Sequence, residues 1–85
     1  KTKPTKYAFD KLINELIKKY EHNDVTEFIE TVRMAAPISI DSEVFRFFTL
    51  HALIKFRTSN KNRNFYDMTE KGNLVADGYL EKSLT

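Results

Sequence analysis

The sequence contains no cysteine. A small secreted domain ordinarily leans on disulfides, so their absence points to a reducing, intracellular setting, with nucleus and cytoplasm (nucleoid) equally compatible. It also excludes thiolate zinc sites and cysteine nucleophiles. Only two glycines and two prolines occur among the 85 residues, too few turn formers for an all-β sandwich. No stretch approaches the ~20 apolar residues of a membrane span. The most apolar run, Val44 to Phe56, is broken by Arg46, His51 and Lys55. No secretory signal opens the chain. It begins with Lys rather than Met, as a piece of a longer protein would.

Catalytic patterns are equally scarce. His22 and His51 share no HExxH spacing, and Gly72 and Gly78 form no phosphate-cradling loop. Nucleophile-elbow and Walker patterns are missing. The acidic residues are scattered, and capping or solvent roles account for them. No enzyme activity, metal, cofactor or small-molecule substrate is expected.

What is present suits a single compact domain: 41% of the residues are hydrophobic and 13% aromatic, with Phe prominent. The net charge of +2 conceals segregation. Residues 1–20 hold six Lys against Asp10 and Glu15. Residues 21–43 hold Glu21, Asp24, Glu27, Glu30, Asp41 and Glu43 against Arg33 alone. Residues 55–63 hold Lys55, Arg57, Lys61 and Arg63 with no acid. A basic loop, a basic N-terminal region and an acidic flank follow, and such segregation brings nucleic acid into consideration.

Residues 1–6 read as a flexible basic lead-in around Pro4, and residues 7–85 as one domain. Phe9, Leu12, Ile13, Leu16, Ile17 and Tyr20 keep the rhythm of one helical face, which His22 and Asn23 end. Asp24 then suits an N-cap, with Glu27 placed for a capping box, and Val25, Phe28, Ile29, Val32 and Ala35 form the apolar face of a second helix that Pro37 stops. A third helix is expected from Ser42 to Leu53, capped by Asp41 or Ser42. Its Phe45, Phe47 and Phe48 cannot share one stripe, because consecutive positions diverge by ~100°.

Near Ile54 the rhythm becomes alternating. Ile54, Phe56 and Thr58 are expected on one strand face, and Lys55 and Arg57 on the other. Residues 59–63 are a turn by composition, and residues 64–68 alternate again, so the pair reads as a β-hairpin. Thr69 caps a last helix with Leu74, Val75, Tyr79, Leu80 and Leu84 as apolar positions. Gly72 and Gly78 weaken that helix by ~1 kcal/mol each unless close packing needs the space.

The stretch Phe65-Tyr66-Asp67-Met68-Thr69-Glu70-Lys71-Gly72 resembles the second wing strand and the start of the last helix in winged-helix regulators of the MarR and PadR kind. Those often read aromatic, aromatic, any residue, Leu, Thr, Glu, Lys, Gly; Met68 stands here for the Leu. The resemblance implies an α+β winged helix, with three helices, a two-stranded β-hairpin wing and a C-terminal helix. It implies a DNA-binding domain of a transcription or chromatin regulator. Two departures stand beside it. The family's usual Gly-Leu-Val/Ile step before the wing has no Gly here, and the third helix begins with acidic and apolar residues rather than donors for base edges.

On this reading double-stranded DNA is met at its phosphates by Lys55, Arg57, Lys61 and Arg63 of the wing, and in the groove by Arg46 and Thr49. Lys1, Lys3 and Lys6 would add a basic arm. The same wing charges would equally serve solubility and protection of a bare sheet edge. The alternative is a winged-helix protein-interaction or homodimerisation module with little DNA affinity, anchored by Phe45 and Phe47. The same Phe residues would also fill the core between hairpin and helices.

Overall fold

A computed structural model describes residues 9–83. The lead-in expected over residues 1–6 and the apolar position Leu84 lie outside the described residues. Four helices and one antiparallel hairpin follow in the order α1 (Asp10–Lys19), α2 (His22–Arg33), α3 (Glu43–Leu50), β1 (Ile54–Asn60), β2 (Arg63–Met68) and α4 (Glu70–Ser83). The chain is thus α+β, in the element order the periodicity predicts.

α1 buries Ile13 and Leu16, with Phe9, Leu12 and Tyr20 packed at the core's margin, whereas Ile17 falls at the stripe's edge and is 42% exposed. Helix α1 packs on α4, where the Lys82 ammonium meets Asn14 Oδ1 at 2.9 Å. Tyr20 and Glu21 are extended and break the chain between α1 and α2. Helix α2 therefore starts at His22, earlier than expected. Asp24 is no cap: it lies in the first turn, where its charge complements the helix dipole. The early start also lets His22 stack on buried Tyr79, with Nδ1 3.2 Å from the phenolic oxygen. Burial holds the Tyr79 hydroxyl above its ordinary pKa.

Both α2 and α3 end before the positions the sequence suggests, and for the same reason. Ala35 takes a left-handed φ of 59°, its N–H donates to Val32 O, and the Ala36 N–H donates back to Thr31 O at 3.1 Å. Ala52, with φ 57°, repeats the arrangement: its N–H donates to Thr49 O, and the Leu53 N–H to Phe48 O at 2.8 Å. These are Schellman closures with Ala where Gly is usual. Pro37 therefore lies beyond the end of α2 rather than causing it. At the other end of α3 the Ser42 hydroxyl accepts from the Phe45 N–H at 2.9 Å, as a cap should. Ser42→Ala is expected to cost about 1 kcal/mol in urea unfolding, with an unchanged denaturant slope.

The hairpin turns through Lys61 and Asn62, both left-handed with φ 53° and 66°, the signature of a two-residue type I′ turn. The turn is tighter than the five residues expected. The register pairs Ile54 with Met68, Lys55 with Asp67 and Phe56 with Tyr66, then slips so that Thr58 faces Phe65 and Asn60 faces Arg63. The irregularity at Arg57 inverts the alternation beyond it. Thr58 therefore leaves the face of Ile54 and Phe56, contrary to the simple two-residue period. One hairpin face carries Ile54, Met68, Phe56 and Tyr66, and the other carries Lys55, Asp67, Thr58, Phe65 and Arg63. A lone bridge from Ile38 to Asn64, with Ile38 N–H to Asn64 O at 2.9 Å, ties the segment between α2 and α3 to β2.

Where the hairpin meets α4, one residue closes the fold. The Thr69 hydroxyl accepts from the Gly72 N–H at 3.0 Å and donates to Ala52 O at 2.8 Å, while the Thr69 N–H donates to Leu53 O. The core gathers Val25, Phe28, Phe48, Leu53, Val75 and Tyr79 from α2, α3, the β1 approach and α4.

Candidate nucleic-acid interface

The hairpin projects its cations into solvent. Lys55, Arg57, Lys61 and Arg63 are all exposed. Arg57 lies 3.9 Å from Asp67, both roughly half exposed, a pairing of little energetic weight. Lys55 is directly across from that same Asp67 in the register, so one carboxylate faces two cations. Lys61 and Arg63 make no ion pair among the described residues. The pleat puts Lys55 and Arg63 on one face, and the Arg57–Asp67 contact draws Arg57 to the same side. Lys61 occupies the turn itself. Asn60 and Asn62 flank it, also exposed, and add uncharged donors. Such a surface suits a polyanion: long flexible cations, little internal neutralisation, and a turn narrow enough to approach a groove.

The other expected contacts lie elsewhere. Phe45 of α3 meets Tyr66 edge-on at 5.1 Å, on the hairpin face opposite the cations. Thr49 stands one turn from Phe45, so it belongs to that flank. Its hydroxyl is turned back onto Phe45 O at 2.9 Å and Arg46 O at 3.0 Å, which occupies its proton. Arg46 is exposed and lies with Leu50 on the outward face of α3. The structure therefore assembles the four hairpin cations but sets Arg46 and Thr49 apart from them.

The aromatic anchors also divide. Phe47, expected at an interface, is only 5% exposed and packs against Phe48, Tyr20 and His51, so it belongs to the core. Phe45 is half-buried against Tyr66. The exposed large apolar residues of α3 and the hairpin are instead Leu50, at 79%, and Phe56, at 58%, the latter 5.6 Å from the Tyr66 ring. Residue type alone gave no sign of either exposure, because a Phe between two cations fits a half-buried strand equally well.

Among the described residues no cluster of His, Asp or Glu is placed to hold a metal ion, and no helix is long and apolar enough to cross a membrane. Compared with known proteins, the chain matches no family model, no curated protein and no solved structure.

Proposed function

We propose that this chain is a DNA-binding domain of winged-helix type, acting in transcription or chromatin, whose hairpin wing grips duplex phosphates. The observation that carries the reading is the solvent-facing hairpin, which carries four cations and a single carboxylate, Asp67. The order of elements supports it. So does Ala52: its left-handed backbone sits just before Leu53 and Ile54, where the resembled regulators place a glycine before Leu and Val or Ile. Binding on this reading is mainly electrostatic. Phosphate contacts fix affinity and carry no base identity, and α3 offers few groups for base edges, since Thr49 is bonded internally and its remaining outward residues are Glu43, Arg46 and Leu50.

Retention of labelled duplex DNA across a salt series tests the proposal. The native chain should lose affinity linearly in log salt. Arg57→Glu/Arg63→Glu should bind at least about tenfold more weakly, with a log–log slope shallower by roughly two. Identical curves for the two proteins would end the phosphate-wing reading. The alternative, a docking module in place of a DNA binder, is favoured by the exposure of Leu50 and Phe56. A native chain that ignores duplex DNA at every salt concentration would leave that alternative standing.

A further inference from the structure

Within the acidic part of the chain lies a groove of about 590 Å³ between α2 and the segment that leads into α3. Its floor is apolar, formed by Phe28, Ile38 and Val44. Its rim is acidic, with Glu21, Asp24 and Glu27 along α2 and Glu43 at the start of α3. None of these carboxylates has a cationic partner among the described residues. Lys19, the one cation at the rim, is drawn to Glu15 at 3.2 Å. An apolar trough edged by uncompensated carboxylates favours a guest with long aliphatic stems and cationic ends, because the stems cover the floor while the heads meet the rim.

The same chain carries such a guest. The hairpin tip presents Lys61 in the two-residue turn and Arg63 just after it, without ion-pair partners among the described residues, and Lys55 and Arg57 follow along the strand. We infer that the groove receives the hairpin of a second copy, so that two molecules exchange hairpins about a two-fold axis. Reciprocal exchange closes the assembly as a dimer and uses both complementary surfaces of each molecule. It also covers the cations assigned above to phosphate, so duplex DNA and a second copy compete for the hairpin. The self-association itself needs no DNA affinity and stands independently of that assignment.

Sedimentation of the full chain at low and high ionic strength, with charge-reversed variants, tests the inference. The native chain should sediment at twice the monomer mass at low salt and as monomer in about 1 M salt, where screening reaches to roughly 3 Å. Lys61→Glu/Arg63→Glu and Glu21→Lys/Glu27→Lys should each be monomeric at low salt. An equimolar mixture of the two should recover the dimer mass, because each supplies the reversed partner of the other; a misfolded variant could not do so. Glu21→Lys/Glu27→Lys should also retain duplex DNA at least as well as the native chain, which separates the groove from the phosphate reading. A chain lacking residues 1–8 should still dimerise. A monomeric native chain at low salt, a mixture that stays monomeric, or loss of the dimer on removing residues 1–8 would each overturn the exchange.

Discussion

Gly72→Ala is expected to destabilise the fold by about 3 kcal/mol, a change that on an ordinary exposed helix would stabilise it by about 1 kcal/mol. The reversal of sign comes from the junction between hairpin and α4. A Cβ built at position 72 falls 1.8 Å from the Leu53 carbonyl oxygen and 2.7 Å from its carbon. Those are backbone atoms, so no rotamer change makes room. The carbonyl in the way already accepts from the Thr69 N–H at 3.0 Å, and the neighbouring Ala52 carbonyl accepts from the Thr69 hydroxyl at 2.8 Å. Pushing α4 outward stretches both bonds at about 1 kcal/mol each, and it opens the packing around Leu53, which is fully buried. Against a total stability of about 5–15 kcal/mol typical of small domains, the loss is large. Urea unfolding followed by circular dichroism reads it directly as a lower midpoint with an unchanged slope. A variant as stable as the native chain would show that hairpin and α4 do not approach as closely as described.

The same junction shows what sequence can and cannot convey. Thr69 and Ser42 are caps by residue type, and both cap. The change of period near Ile54 locates β1, and Lys61-Asn62 lies inside the expected turn. The ends of α2 and α3 were hidden because the left-handed closing positions, Ala35 and Ala52, carry no glycine to mark them. The start of α2 was hidden because Glu21 closes the helix by backbone geometry with no side-chain cap bond, leaving Asp24 as the more conspicuous candidate. The slip at Arg57 is a property of the strand pair, so a two-residue period could not show that Thr58 changes face. As for the site, the hairpin cations are legible from charge alone. Which of Phe45, Phe47 and Phe56 is buried depends on how α3 is rotated against the hairpin. The acids of the groove are legible as the charge run over residues 21–43, but the apolar floor they edge depends on how α2 packs against the segment leading into α3.

That rotation of α3 is what Phe48→Ala measures, with an expected cost of about 3–5 kcal/mol. Phe48 is fully buried, its ring 4.7 Å from that of Phe28 and 6.2 Å from that of Phe47, so truncation leaves a cavity between α2 and α3 that neither backbone can collapse without moving the other. Phe56→Ala removes the same atoms from a site that is 58% exposed, and should cost well under half as much, since little area returns to water and no cavity forms. The pair of variants thus compares two Phe truncations differing in environment alone, and the difference in urea midpoints should exceed the error of the extrapolation. The order of the two values bears on the surface as well as the core. With Phe48 inward, Arg46 and Leu50 face outward, and Phe45 sits at the side against Tyr66. Equal costs, or a larger cost at Phe56, would mean that α3 is rotated from this setting. Arg46 and Leu50 would then leave the outer surface, and the division between hairpin cations and α3 residues would have to be redrawn.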